Sequence, residues 1–183
     1  MRIYQESVEV NQRWANRLVE YDELRNLAAK VNAPGNDVFD SLDVQAESTR
    51  MTEARKQFDA KLQSARTFIS EESNPAHRYT LLAGLDSVSE EMEEMTAEAM
   101  LIFSYFAKQE TAKAGSRMAT MDRKYGKLNT AFAGLSGQVY TIQRQNFSQQ
   151  LALAKTLRSL EVVIACAILI MIMGAIYYGR RVS

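Results

Sequence analysis

Two arginines fall where apolar side chains are expected, and they are the residues of this chain best suited to recognition chemistry. Arg17 lies between Trp14 and Tyr21, and Arg55 between Met51 and Phe58, each on a stripe of otherwise inward-facing positions. A guanidinium held there can grip a carboxylate or another oxyanion with two parallel N–H donors. Arg17 and Arg55 are therefore candidate ligand-binding residues for a small acid. The plainer reading has both at the core edge, paired with Glu90 or Glu91, near Asn129, or reaching out to water. Other chemistry is thin. His77 is the one histidine and Cys166 the one cysteine, so neither a zinc site nor an intramolecular disulfide can be assembled from them. His77 reads as a surface residue. No glycine-rich phosphate loop, nucleophile elbow or aspartate-rich calcium loop occurs. No catalytic residue, metal or cofactor is expected in this segment.

The elements that carry these residues are helices. Four stretches repeat apolar positions at alternating steps of four and three, which keeps one stripe facing partners in a left-handed supercoil. The first runs Val10, Trp14, Arg17, Tyr21, Leu24, Ala28, Val31. The second runs from Val44 through Ser48, Met51, Arg55, Phe58, Leu62 and Ala65 to Ile69. The third includes Leu81, Leu85, Val88, Met92, Met95, Ala99, Ile102 and Phe106. The fourth includes Met118, Met121, Tyr125, Leu128, Phe132, Leu135, Val139 and Ile142, and continues through Asn146, Gln149, Leu153 and Thr156 to Leu160. The fold class expected is all-α: a long up-down antiparallel four-helix bundle, with helices over about 2–32, 42–72, 76–108 and 111–159.

Breaks between them follow from turn chemistry. Asn32-Ala-Pro-Gly-Asn-Asp37 joins proline, glycine and Asx residues and predicts the end of the first helix. Asp40, Ser41 or Asp43 can cap the second, with Glu47 as a capping-box partner. Ser73-Asn74-Pro75 ends it, and the proline suits the first turn of the third. A weaker break is placed at Lys108 to Thr111; an unbroken rod over 76–178 is the alternative.

Val162 to Tyr178 carries no charge and is followed by Gly179-Arg180-Arg181. At about 1.5 Å per residue this stretch reaches about 26 Å, close to the hydrocarbon thickness of a bilayer. A transmembrane helix is predicted over 160–179, with Tyr177 and Tyr178 at the headgroup level and 180–183 beginning a cytoplasmic segment. Ala175 to Gly179 forms a small-xxx-small spacing that can aid helix association. The 22 basic and 22 acidic residues balance, which argues against a nucleic-acid partner.

On the fourth helix, four residues are candidates for signal transmission. Gly134 and Gly137 permit a bend or a close helix contact, tight packing being the plainer reading. Asn146 and Gln149 interrupt the stripe just before the span, where amides set register or loosen packing. The same region holds an Asn146-Phe147-Ser148 sequon in mid-helix. The fourth helix outruns its expected neighbours, which predicts a longer protein whose upstream part supplies the missing partner and another span.

This layout resembles the extracytoplasmic sensor region of bacterial transmembrane sensor histidine kinases and the related methyl-accepting chemoreceptors. The residues that carry the likeness are Val31 to Ser41, Met118 to Arg123, and the run beginning at Glu161. The resemblance implies a periplasmic sensor domain over 1–159 in the bacterial inner membrane. It also implies a homodimer, a small-molecule or protein stimulus, and a cytoplasmic HAMP and kinase output. Rival readings are a tail-anchored cytosolic bundle of SNARE-like or adaptor type, and a structural membrane-anchored spacer. Lys155 and Arg158 before the span nearly balance Arg180 and Arg181 after it, so charge alone does not choose the orientation.

Overall fold

A computed structural model describes the backbone of residues 2–182 and the side chains of residues 12–175. Val10, Tyr177, Tyr178, Gly179, Arg180 and Arg181 therefore lie outside the described side chains, and Met1 and Ser183 outside the described backbone. Four helices follow in order: α1 (Arg2–Ser41), α2 (Val44–Ser70), α3 (Pro75–Ala107) and α4 (Thr111–Val182). No strand occurs among the described residues. The chain divides into two compact units, Met1–Thr141 and Ile142–Ser183.

The first unit buries the heptad stripes. Tyr21, Leu24 and Val31 from α1, Phe58 and Ile69 from α2, Leu81 to Ile102 from α3, and Met121 to Val139 from α4 form its core. A straight α-helix has 3.6 residues per turn, so a strict 3.5 repeat drifts. Two expected core positions shift accordingly. Ala54 is buried in place of Arg55, and Glu47 in place of Ser48. Phe103 is likewise buried where Phe106 was expected, while Phe106 stacks edge-on against Phe39 of α1 at 4.9 Å.

The expected stop at Asn32–Asp37 is overturned. α1 runs through Pro34 to Ser41. Proline removes one backbone donor, so the Lys30 carbonyl loses its helical partner. Against that cost, the buried series Leu24, Ala28, Val31, Gly35 and Val38 continues in phase across the Pro34-Gly35 pair. Gly35 is needed for close approach: a Cβ there would meet Met121 Sδ at 2.5 Å and Ala99 Cβ at 3.3 Å. Tertiary burial overrides the local turn signal. The helix ends instead at Leu42, whose φ of 56° is left-handed. Asp43 then caps α2 by accepting from the Ala46 N–H at 2.9 Å. Glu47 does not close a capping box; it takes Arg50 at 2.6 Å.

The other ends follow their local chemistry. The Asn74 side chain accepts from the N–H groups of Ala76 and His77, and Pro75 occupies the first turn of α3. Between α3 and α4, Gln109 takes a φ of 62° and the Glu110 N–H donates to the Tyr105 carbonyl at 2.9 Å.

Candidate functional site

Arg17 reaches inward from α1 at the end of the first unit where α2 stops and α3 starts. Its guanidinium lies 4.2 Å above the Trp14 ring, and its Nη2 donates to Glu72 Oε2 at 2.9 Å. The two charged side chains are 13% and 15% exposed. His77 meets the same indole edge-on at 6.2 Å, and Arg78 donates to the Glu72 carbonyl at 3.3 Å. A cation over indole and a largely desolvated ion pair thus tie the body of α1 to the end of α2 and the start of α3. Removing one partner of such a pair leaves the other charge without compensation, the costly case for buried ions. Arg17 Nη1 is buried and has no protein partner. A groove beside the pair is lined by Arg13, Glu20, Phe68 and Glu71, and its glutamates outnumber its arginines when Arg17 and Glu72 are included. Glu72 already takes the Arg17 Nη2 donor, so an added oxyanion would compete with it.

Arg55 has different surroundings. Its Nε donates to Asp59 at 2.8 Å and its Nη1 to Thr96 Oγ1 at 3.1 Å, joining α2 to α3. The expected partners are not the actual ones. Neither arginine bonds Glu90 or Glu91, and Asn129 accepts from Arg25 at 3.1 Å. The reason is the moved turn. With the α1–α2 connection at Leu42–Asp43, Arg17 stands about twice as many residues from the turn as Arg55, so the two lie at different depths. The pair does not form a single anion site.

Tyr21, one turn along from Arg17, is 2% exposed, and its hydroxyl has no partner. Burial pushes its pKa up to about 12, opposed by the Arg17 charge and assisted by Glu20. A raised pKa means that the folded state favours the neutral phenol. That contribution is complete below pH 10, the ordinary value, and is lost as pH rises through about 12. Because the hydroxyl is buried without a bond, Tyr21→Phe is expected to leave stability unchanged or raise it by about 1 kcal/mol. It should also flatten the alkaline decline. Thermal melts at pH 8 and pH 11 check both effects.

On the α3–α4 side, Lys124 bonds Glu94 and Arg117 bonds Glu98. The Lys124 bond and charge hold the Glu94 carboxyl below its ordinary 4.5. A lowered pKa stabilises above the ordinary carboxylate range and is lost as pH falls through the folded value. Glu94→Gln should therefore melt with a shallower acid-side decline than the parent between pH 5 and pH 3.

The transmission candidates divide between the two units. Gly134 and Gly137 are exposed, and a Cβ at either meets nothing within 4 Å, so the tight-packing reading is overturned. The closely packed glycines are Gly35 and Gly84, the latter 2.7 Å from Leu135 Cδ1 when given a Cβ. In the second unit, Asn146 is half-buried and Gln149 is exposed. Every residue from Leu151 to Ala175 is exposed. Among the described residues, one helix is long and apolar enough to cross a membrane: α4, with a mean hydropathy of 2.1 over its most apolar stretch and none of that stretch buried.

Among the described residues, no three His, Cys, Asp or Glu side chains converge as a metal-binding group. Sequence reasoning missed the Trp14–Arg17–Glu72–His77 junction. The spacing of Trp14 and Arg17 signals a shared helix face, but Glu72 enters from a helix end that periodicity cannot position. The chain matches no protein family, no curated protein and no solved structure.

Proposed function

We propose that this chain is the signal-input region of a bacterial transmembrane receptor. The first unit is an antiparallel up-down four-helix bundle on the outer side of the plasma membrane. The apolar stretch of α4 spans the bilayer, and a HAMP or kinase-type output follows Arg181. Cross-helix ion pairs support the bundle order. Arg17 with Glu72, Glu23 with Lys61, and Asp37 with Arg50 match ascending positions on α1 with descending positions on α2. Arg66 with Asp86, taken with the Arg55–Thr96 hydrogen bond, does the same for α2 and α3, and Glu98 with Arg117 and Glu94 with Lys124 for α3 and α4.

The observation that carries the receptor reading is that α4 is one helix from Thr111 to Val182. Buried positions such as Met121 and Val139 and the exposed apolar stretch belong to one hydrogen-bonded element. Such an element passes on a small axial shift or rotation. A ligand that repacks the bundle could then bias whatever lies beyond the membrane.

Two measurements test this. A reporter fused after Ser183 should act on the cytoplasmic side; activity on the outer side overturns the receptor reading and favours a tail-anchored protein. Spin labels at Ile142→Cys and Val162→Cys, in a Cys166→Ala background, should give a narrow distribution near about 30 Å, the rise of twenty helical residues. A broad distribution overturns transmission through α4.

A further inference from the structure

The groove between α1 and α4 holds a buried hydroxyl that lacks a partner. Tyr21 and Arg25 of α1 and Phe132, Gly137 and Tyr140 of α4 line it, around a volume of about 290 Å³. Tyr21 is 2% exposed, and its hydroxyl is buried without a protein hydrogen-bond partner. Such an orphan is uncommon in folded proteins and costs stability. The phenol end lies toward the open part of the groove. A helical side chain leans back toward the N-terminus of its helix, and the charge of Arg17, one turn back, acts on the Tyr21 hydroxyl. Arg25 bonds Asn129 across the groove and Gly35 lies against Met121, so α1 and α4 run in opposite senses here. Eight residues back along α1 and eight on along α4, the level of Arg17 faces Gly137. Gly137 has no side chain, and nothing lies within 4 Å of where its Cβ would be. The orphan hydroxyl and the vacant volume thus meet at one level.

We infer that this groove binds a small uncharged aromatic molecule carrying a hydroxyl group, of which phenol is the simplest. The volume stands at the low end for ligand sites and suits one ring rather than several. Phe132 and Tyr140 supply aromatic surface, the first buried and the second 59% exposed at the rim. Asp22 and Arg25 bring one charge of each sign to the lining, so the groove has no net charge with which to select an ion. Arg25 also has its Nε committed to Asn129 at 3.1 Å. Burial keeps the Tyr21 phenol neutral well into alkaline pH, so it enters as a donor. A ligand hydroxyl can accept from Tyr21 and donate onward to the Asp22 carboxylate or the Ser136 hydroxyl. Both line the groove, and neither has a partner among the described residues. The site lies wholly within the first unit, so it goes beyond the receptor reading and stands or falls without it.

Calorimetric titration of the full chain in lipid nanodiscs tests the site, with empty nanodiscs as the blank for partition into lipid. Phenol should bind saturably with a Kd of about 0.1–1 mM, the range open to so small a ligand. Toluene has the ring without the oxygen, and benzoate brings a negative charge toward Asp22. Each should bind at least about fivefold more weakly than phenol. Tyr21→Phe keeps the ring and should weaken phenol at least about fivefold while leaving toluene unchanged. Gly137→Leu fills the groove from an exposed helix position and should abolish phenol binding. Gly134→Leu, equally exposed but outside the groove, should leave it intact. No saturable phenol binding, equal phenol affinity in Tyr21→Phe and the parent, or binding that survives Gly137→Leu would overturn the site. Benzoate binding more tightly than phenol would overturn its uncharged ligand class. None of these results depends on which side of the membrane Ser183 occupies, so the reporter fusion tests the receptor reading separately.

Discussion

Replacing Gly35 with leucine is expected to cost about 2–3 kcal/mol of stability, read from the midpoint of thermal or denaturant unfolding of the full chain in detergent. The space for even the first side-chain atom is taken. A Cβ would sit 2.5 Å from Met121 Sδ and 3.3 Å from Ala99 Cβ. Met121 and Ala99 are both fully buried, so neither can swing into water to make room. The helical preference gained on replacing glycine, about 1 kcal/mol or less, cannot offset the overlap. Gly134 and Gly137 should respond in the opposite direction. Nothing lies within 4 Å of a Cβ at either position. Gly134→Ala and Gly137→Ala should each stabilise by up to about 1 kcal/mol through helix propensity. If Gly35→Leu were harmless, the close approach of α1 to α3 and α4 would be wrong.

The second large effect concerns the apolar end of α4. Leu169 lies near the middle of the stretch from Val162 to Ala175, in which every residue is exposed and none is charged. Arginine at the centre of a span costs about 2.5–3.5 kcal/mol on insertion scales, and leucine's own favourable contribution of about 0.5 kcal/mol is lost with it. Leu169→Arg should reduce the membrane-embedded fraction by about two orders of magnitude relative to the inserted alternative. Carbonate extraction reads this as a shift from pellet to supernatant. Leu169→Ile, which keeps the apolar character, should stay in the pellet. If Leu169→Arg stayed there as well, the stretch would not be a simple lipid-facing span.

Much of the helical layout was legible because four-and-three spacing is a direct consequence of helix geometry. The core positions of α3, Leu81 through Ile102, needed no knowledge of their neighbours. Asn74-Pro75 was legible for the same kind of reason: an Asx cap followed by a proline is chemistry local to three residues. Pro34-Gly35 misled because its turn signal is local while its answer is tertiary. In place, Val31, Gly35 and Val38 fit against other helices, and that fit keeps the chain helical to Ser41. The misplaced turn carried through to the candidate site. Shifting a helix end by several residues moves facing positions by about 1.5 Å each. Residue spacing therefore pairs Arg17 with the wrong glutamates, because its actual partner Glu72 lies just past the end of α2. The glycines show the same limit. Their positions on α4 suggested contact, but only coordinates distinguish a glycine with a neighbour from one facing open space.

The Trp14 junction also gives the molecule its own optical reporter. The chain has one tryptophan, it is 4% exposed, and both a guanidinium and an imidazole stand against its ring. Its fluorescence therefore comes from one place, where α1 meets the end of α2 and the start of α3. A red shift in emission that precedes the loss of helical circular dichroism would show that this junction opens before the rest of the chain. A stimulus that moves α1 against α2 or α3 would change colour and intensity with no label attached.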